Sequence, residues 1–333
     1  MPQGSSVGAA AAIVATGACT GSDVIDNAEL IRRFDLDVDE DWIESRTGIR
    51  SRHWLRPGET TSDLAVAAAE RILERAGIAA AELDRIILAT ISPDLLSPST
   101  ATIVARRLGA RCPAFDLSAA CAGFLYGLDL AQGAVRAGER NVLVLAADAR
   151  SRFIDKRDPR SVVLFADGCG GALLQPAAEP GLLSVWLGAE GRERMGAHVP
   201  AGGARLPASR ETVERGQHYL QVDPSREIFK LFVRFTREAC GRALERANLT
   251  LGEIDLFITH QGNARMVELV LEDLGVPPER AVNNVVHHGN TSGATVPIAL
   301  AEAVEAGRVR PGDRVLLTGV GAGYTFGAAV HRF

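Results

Sequence analysis

The sequence lacks the patterns that mark membrane, disulfide-rich and metal-binding proteins. No uninterrupted apolar run approaches the length of a membrane span, and the glycine-broken start has no basic leader. The five cysteines are odd in number, scattered and free of Cys-x-x-Cys pairs, which argues against a disulfide framework or a zinc site. These absences predict a protein of a reduced, cytoplasmic compartment with no membrane partner.

The chain also lacks an excess of positive charge, and aromatic side chains are few. The net charge is −5, and aromatic residues make up 5% of the chain. Because general nucleic-acid binders carry basic surfaces, no nucleic-acid partner is expected. What is present, 333 residues with 47% hydrophobic and 23% charged side chains, is typical of a globular protein with an ample core.

Strand-like and helix-like segments alternate along the chain, which predicts an α/β fold. The predicted strands cover residues 7–19, 85–90, 112–117 and 141–147, and the predicted helices cover 27–34, 61–76 and 100–108, with a further helical run from Phe124 that Gly138 ends. We also predict that residues 162–165 and 171–174 pair in antiparallel fashion. The Gly-, Arg- and Pro-rich residues 188–218 are expected to form an exposed loop.

The second half of the chain repeats the first. Residues 71–90 match residues 242–261 without a gap at an offset of 171, and 134–138 match 303–307 at an offset of 169. Two matches in the same order indicate duplicated β/α halves around a pseudo-twofold axis. Carried back along the second helix, the offset of 169 places Cys121 opposite Asn290.

Cys121 lies in residues 116–127, where a short apolar strand turns into an apolar helix. Its alanine and glycine neighbours leave room for another molecule to approach the sulfur. The N–H groups and dipole of a helix start favour thiolate over thiol, as a nucleophile requires. A small filler at a tight turn is an equally open interpretation, because free cysteine is often buried and inert.

Two polar residues occupy comparable strand ends in the second half. His260 directly follows an apolar strand, and Asn290 lies at a strand-to-helix turn in Gly-Asn-Thr-Ser. Taken singly, such a histidine is more often structural, and such an asparagine is more often a helix cap. Chemistry collects at strand ends in α/β folds, however, and cysteine, histidine and asparagine together are typical of an acyl-transfer site.

Several motifs resemble those of the β-ketoacyl-(acyl carrier protein) synthase III family. They are Trp-Ile-Glu-Ser-Arg-Thr-Gly-Ile-Arg, Asp-Leu-Ser-Ala-Ala-Cys-Ala-Gly-Phe, His-Gln-Gly-Asn, Gly-Asn-Thr-Ser and Gly-Ala-Gly-Tyr-Thr-Phe-Gly. The resemblance runs nearly end to end and implies a thiolase fold of five layers, αβαβα, in a homodimer. It divides the chain into an N-terminal half, 1–180, with the cysteine, and a C-terminal half, 181–333, with the histidine and asparagine.

The resemblance also implies a reaction. Cys121 is expected to attack an acyl-CoA primer and hold the acyl group, with an oxyanion stabilised by the N–H groups of Cys121 and Ala322. Malonyl-acyl carrier protein then loses carbon dioxide, and His260 and Asn290 stabilise the enolate that attacks the acyl group. Acyl-CoA is a substrate here, and neither a metal nor another cofactor is expected.

The same resemblance implies binding residues at matching positions. The expected CoA contacts are Trp42, Arg46, Thr47, Arg160, Asn263 and Arg265, with Trp42 and Arg265 on either side of the adenine. The expected acyl-pocket residues are Ser97, Phe165 and Val222. A small residue at 97 would admit longer or branched primers. Arg265 and neighbouring arginines are expected to meet the acidic carrier protein.

Other interpretations remain open. A papain-like cysteine hydrolase also uses cysteine, histidine and asparagine, although the duplicated architecture disfavours it. The glycines of residues 319–323 after a strand are a weak dinucleotide-binding signal. The nearer alternative is a specialised synthase III homologue of polyketide or secondary metabolism. Such an enzyme condenses an unusual acyl group or transfers it to another acceptor.

Overall fold

The computed structural model describes residues 10–179, 181–193, 196–222 and 226–333. Its strands are β1 Ala10–Thr20, β2 Asp23–Asp26, β3 Ser51–Trp54, β4 Arg85–Ala89, β5 Ala114–Leu117, β6 Val142–Ala149, β7 Asp167–Ala177, β8 Leu182–Ala189, β9 Ala197–His198, β10 Gln221–Val222, β11 Leu256–Thr259, β12 Arg314–Gly321 and β13 Thr325–Arg332. Its helices are α1 Asn27–Phe34, α2 Glu40–Thr47, α3 Thr61–Ala76, α4 Thr100–Leu108, α5 Gly123–Arg136, α6 Pro159–Val162, α7 Arg210–Glu214, α8 Arg226–Ala247, α9 Ala264–Leu274, α10 Val285–His288 and α11 Thr295–Glu305.

Two sheets with the same strand order form the centre of the fold. The first runs β1-β7-β6-β4-β5, and the second runs β8-β13-β12-β11. In both sheets the first two pairings are antiparallel and the third is parallel. The place of β5 is taken in the second sheet by a single parallel bridge between Phe257 and Ala281. This repeated order confirms the duplication predicted from the sequence.

Helices separate and cover the two sheets. Leu128 of α5 and Leu300 of α11 are fully buried in one cluster with Val144 of the first sheet and Leu317 of the second. The outer clusters join α3 and α4 to the first sheet and α8 and α9 to the second. Because helices lie on both of its faces, β6 is buried along its whole length. The layers are therefore αβαβα, as predicted.

The strands divide between the two sheets along the chain. Those of the first sheet lie within residues 10–177, and those of the second lie within residues 182–332. The proposed domain boundary between residues 180 and 181 stays a prediction. No helix in the described ranges is long and apolar enough to cross a membrane.

Local sequence signals place many elements correctly. The helices predicted over 27–34, 61–76 and 100–108 have these bounds in the structure. Each is followed by a residue in the left-handed conformation, a glycine in two of the three. The strands predicted over 7–19, 85–90, 112–117 and 141–147 differ from the observed ones by two residues or fewer wherever the chain is described, and residues 7–9 of the first lie outside the described part.

Two predictions about irregular regions are wrong. Residues 162–165 form no strand, because Asp158 caps the short helix α6 and Pro159 occupies its first position. Residues 171–174 belong instead to the long strand β7. The region 188–218 is not simply a loop, since it contains the end of β8, the strand β9 and the helix α7.

The register between the halves changes along the two central helices. Ala120 and Ser292 have left-handed backbones, with φ of 46° and 57°, and each opens a short 3-10 turn before its helix. The offset at this end is therefore 172, and the counterpart of Cys121 is Gly293. The predicted equivalence of Cys121 and Asn290 is wrong, because α11 has 11 residues where α5 has 14.

Candidate active site

Cys121 lies in the 3-10 turn that joins β5 to α5, and its side chain lines a cavity of about 550 Å³. Asp116 of β5 accepts hydrogen bonds from the N–H groups of Thr100 and Ala101 at the start of α4. These bonds hold the strand that delivers the turn. Across the cavity, the Ser292 hydroxyl lies 3.7 Å from the sulfur. The turn therefore presents the thiol to a space shared by both halves.

The thiol of Cys121 is not held as a thiolate. Burial raises its pKa to about 11, although the hydrogen bond to Ser292 acts in the opposite direction. The helix-start argument predicted the opposite shift. Removal of the thiol from water dominates here, and α5 begins only two residues beyond the cysteine. A nucleophilic attack by this sulfur must therefore be coupled to loss of its proton.

His260 and Asn290 aim their nitrogens at one small space in the same cavity. A Cβ added to Gly262 would lie 2.9 Å from His260 Nε2 and 3.6 Å from Asn290 Nδ2, so both nitrogens border the space beside this glycine. Asn290 Oδ1 accepts the N–H of Ser292 at 2.8 Å. That bond fixes the amide so that its NH₂ group is the part left for the cavity.

Thr295 supports His260 from behind. Its Oγ1 lies 2.7 Å from His260 Nδ1 and 3.1 Å from the Ser292 carbonyl oxygen. That carbonyl also accepts the backbone N–H of Thr295, so the hydroxyl is held between Nδ1 and this oxygen. Burial lowers the pKa of His260 to about 4, which leaves the ring neutral with a single proton. The contact with Thr295 holds the ring so that Nε2 lies beside the Asn290 amide.

The end of β12 packs directly against the cysteine turn. A Cβ on Gly321 would lie 2.6 Å from the backbone nitrogen of Cys121, and one on Gly319 would lie 3.0 Å from its carbonyl oxygen. Ala322, the next residue, lines the cavity with Cys121, His260 and Asn290. The structure thus brings together all four residues that the sequence proposed for catalysis and the oxyanion.

The walls of the cavity are apolar. Phe165 and Val222 line it as expected, with further apolar side chains from both halves: Ile91, Leu164, Leu220, Ile228, Phe229, Phe232, Met266 and Val320. Residues 223–225, which follow Val222, lie outside the described residues. Ser97 is exposed and does not line the cavity of its own chain. Its role in an acyl pocket stays a prediction.

Four of the expected CoA contacts cluster near α2 and the start of α9. The Arg46 guanidinium lies 4.4 Å from the centre of the Trp42 ring. Asn263 caps α9 and donates to the carbonyl of Arg46 at 3.2 Å, and it also lines the cavity. Arg265 donates to the carbonyls of Glu44 and Ser45 in α2. In the structure it is therefore Arg46, and not Arg265, that stacks on Trp42.

The other two expected CoA contacts are differently placed. The Thr47 side chain is buried, and its hydroxyl donates to the Ile43 carbonyl and accepts the N–H of Ile49. Its hydrogen bonds therefore serve the end of α2. Arg160 is exposed and pairs with Asp158. The roles of all six residues in CoA binding stay predictions.

Sequence reasoning missed several polar residues of the site. Ser292 and Thr295 follow Asn290 in the same turn and act on the sulfur and the histidine. Arg150 lines the cavity immediately after β6. The strand-end rule that selected His260 would also have selected Arg150. The described part of the chain contains no cluster of three or more histidine, cysteine, aspartate or glutamate residues arranged to hold a metal ion.

Known proteins share both this sequence and this fold. Family models described as 3-oxoacyl-(acyl-carrier-protein (ACP)) synthase III and its C terminal match residues 115–191 and 244–333. The beta-ketoacyl-(acyl-carrier-protein) synthase III of Symbiobacterium thermophilum is 43% identical over 324 residues, which cover 96% of this chain and 97% of that protein.

Two solved structures extend the comparison. The 3-oxoacyl-(acyl-carrier-protein) synthase III from Aquifex aeolicus VF5 superposes with a TM-score of 0.88 at 36% identity, covering 97% of this chain and 100% of that one. The priming beta-ketosynthase from the R1128 polyketide biosynthetic pathway has a TM-score of 0.89 at 34% identity, with coverage of 98% and 96%. On this evidence, the chain belongs to the 3-oxoacyl-(acyl-carrier-protein) synthase III family of condensing enzymes, which have the thiolase fold.

Proposed function

We propose that the protein joins an acyl group from acyl-CoA to malonyl-acyl carrier protein, with loss of carbon dioxide, to give a β-ketoacyl-acyl carrier protein. The observation that carries this proposal is the convergence of Cys121, His260 Nε2 and Asn290 Nδ2 on one apolar cavity. The names of the relatives support the same reaction.

The first half-reaction acylates Cys121. The sulfur attacks the thioester carbonyl, the carbon–sulfur bond to CoA breaks, and the thiol proton leaves with CoA as its free thiol. Negative charge on the carbonyl oxygen is stabilised by the N–H groups of Cys121 and Ala322. The close packing of Gly321 against the Cys121 nitrogen, with Ala322 next in the chain and lining the cavity, supports this pair of donors.

The second half-reaction uses the donors on the opposite wall. Loss of carbon dioxide from the malonyl thioester develops negative charge on its carbonyl oxygen. His260 Nε2–H and Asn290 Nδ2–H donate to that oxygen, and the low pKa of His260 keeps it a neutral donor. The carbanion then attacks the acyl carbon, and the bond to Cys121 breaks. Every step uses side chains, backbone N–H groups and thioester substrates, so no metal or other cofactor enters the proposal.

The entrance to the site is proposed to lie beside Trp42, Arg46 and Asn263, which connect α2 to the cavity. Aromatic stacking and arginine charge there suit an adenine nucleotide. Arg265 and its neighbours would meet the acidic carrier protein. Thr47 and Arg160 belong to the same proposal, although their present hydrogen bonds lie within the protein.

The protein is further proposed to act as a cytoplasmic homodimer. In the single chain, Leu96 is 89% exposed beside Ser97, in the loop before α4. A large exposed apolar side chain is often covered by a partner. In a homodimer this loop would be the part that brings Ser97 to the acyl pocket of the second subunit.

The test separates the two half-reactions. Intact-mass spectrometry after incubation with acyl-CoAs should show one acyl adduct on the wild type and none on Cys121→Ala. Asn290→Ala should still acylate but should transfer the acyl group to malonyl-acyl carrier protein about 10²–10³-fold more slowly, the usual cost of one such donor. Absence of any adduct on the wild type would refute the nucleophile. Equal slowing of both steps by Asn290→Ala would refute the assigned donor role.

A second candidate function is priming in a polyketide or other specialised pathway. It is favoured by the similarity to the priming beta-ketosynthase, at 34% identity over nearly the whole chain. The two functions share acyl-Cys121 and differ in the acceptor. If the acyl-enzyme discharges only to an acceptor other than malonyl-acyl carrier protein, the specialised function is correct.

A further inference from the structure

Arg150 is a buried cation in the cavity that holds Cys121, and none of the described residues forms an ion pair with it. The Arg150 residue is only 3% exposed, and it lines the cavity. Nε is buried without a hydrogen-bond partner, and the side chain makes no hydrogen bond or ion pair within the described residues. The nearest compensation comes from the rings of Phe153 and Phe165, whose centres lie 5.8 and 5.7 Å from its guanidinium carbon.

The neighbouring carboxylate does not neutralise this charge. Asp148, two residues earlier, accepts hydrogen bonds from Ile91 N, Ser92 Oγ and Gly293 N. It forms no ion pair with Arg150. The guanidinium carries a charge, and burial of an unpaired charge in apolar surroundings is unfavourable. No described side chain satisfies this guanidinium, which leaves that role open to a group on the bound molecule.

The position of Arg150 selects the part of the substrate that it would meet. It follows β6 in the first half of the chain and contacts the side of the cavity formed by Phe165. Asn263, an expected CoA contact, belongs to the second half and caps α9. The guanidinium lies 5.7 Å from the ring of Phe165, an expected acyl-pocket residue, so an acyl chain on Cys121 would extend toward it.

We propose that Arg150 binds a carboxylate at the far end of the acyl primer, so that the preferred primer is the mono-CoA thioester of a dicarboxylic acid. This inference rests on the proposed function, since it names the primer class of the same site. The planar guanidinium presents paired N–H donors that match the two oxygens of a carboxylate. The apolar walls around it would hold the methylene chain between the two ends.

The experiment measures acylation of wild-type Cys121 by intact mass with length-matched thioesters. The CoA thioesters of butanedioic, pentanedioic and hexanedioic acid are compared with butanoyl-, pentanoyl- and hexanoyl-CoA. For the dicarboxylic chain whose length fits, we expect acylation about 10–100-fold faster than for its alkyl partner. That ratio corresponds to a hydrogen-bonded ion pair in a site shielded from water. A wild type that prefers the alkyl thioester at every length would overturn the proposal.

Two variants identify the residue responsible. Arg150→Leu should lose the preference for the carboxylate and acylate faster with alkyl thioesters, whereas Arg150→Lys should retain part of the preference. A preference that survives in Arg150→Leu would overturn the assignment. If Arg150→Leu does not fold, the wild-type panel and Arg150→Lys still decide the question.

The same panel distinguishes this proposal from the one on which it depends. If alkyl adducts form and discharge to malonyl-acyl carrier protein but no dicarboxylic preference exists, the proposed function stands and the Arg150 proposal fails. If no thioester of either kind labels Cys121, both fail. A general electrostatic effect of Arg150 on the sulfur would slow every thioester equally in Arg150→Leu, and that result would also overturn the proposal.

Discussion

The two strand-to-helix turns at the centre of the molecule have the same backbone and opposite uses. Ala120 and Ser292 each adopt a left-handed conformation and open a 3-10 turn before a central helix. In the C-terminal turn, the N–H of Gly293 donates to Asp148 at 3.1 Å. In the N-terminal turn, Cys121 is equivalent to Gly293. Gly321 is equivalent to Asp148, because β12 pairs with β11 in the same register in which β6 pairs with β4.

This exchange fits the proposal that only the N-terminal turn reacts. Asp148 accepts the N–H of Gly293 in the C-terminal turn, whereas Gly321 has no side chain to accept the N–H of Cys121. In the proposed reaction that N–H donates to the oxyanion of the substrate. The two turns therefore share a backbone but differ in whether this N–H is already bonded to a side chain.

The strand ends beside the two turns differ in a related way. Ala89 at the end of β4 corresponds to His260 after β11, at the offset of 171. The head of α5, Gly123, packs so closely on Ala89 that a Cβ there would lie 2.8 Å from the Ala89 methyl. At the equivalent contact, Thr295 at the head of α11 meets His260 through a hydrogen bond. A packing contact in one half is a hydrogen bond to a proposed donor in the other.

The strongest test of the comparison is Gly321→Ala. Its new Cβ would crowd the Cys121 nitrogen, so we expect acylation by acyl-CoA to fall by about 10²–10³, the cost of losing an oxyanion donor. Single-turnover intact-mass kinetics measure this step directly. The matched control is Ala322→Gly, which keeps the backbone N–H and should acylate at nearly the wild-type rate. Near-normal acylation by Gly321→Ala, with the fold verified by circular dichroism, would contradict the proposal that the Cys121 N–H donates to the oxyanion.

The second test concerns the protonation of the Cys121 thiol in the N-terminal turn. Because burial raises the pKa of Cys121 to about 11, the thiolate fraction should grow about tenfold per pH unit throughout neutral and mildly alkaline solution. Alkylation of Cys121 by iodoacetamide, followed by mass spectrometry, should rise with this slope between about pH 7 and pH 9. Cys121→Ala supplies the background from the other cysteines. A plateau at neutral pH would show that the helix start does lower the pKa, as the sequence alone suggested.

Much of the site follows from local sequence signals. Cys121, His260 and Asn290 were identifiable because strand ends and turns of small residues can be recognised from a short stretch of sequence. The register between halves was not, because the three-residue difference between α5 and α11 lies outside the matched segments. The pKa of Cys121 and the isolation of Arg150 depend on burial by distant elements. No local sequence pattern around Cys121 or Arg150 shows which distant elements will cover these two side chains.

The smallest effect, and the most specific, is expected at Thr295. Thr295→Val keeps the shape of the side chain but removes the hydroxyl that contacts His260 Nδ1, so the ring loses the hydrogen bond that orients Nε2. The net value of one hydrogen bond predicts transfer to malonyl-acyl carrier protein that is about 5–10-fold slower, with acylation of Cys121 unchanged. Thr295→Ser should restore transfer, because it returns the hydroxyl. If Thr295→Val transfers the acyl group at the normal rate, the contact between Thr295 and His260 serves only packing. It would then be equivalent to the packing of Gly123 on Ala89 in the other half.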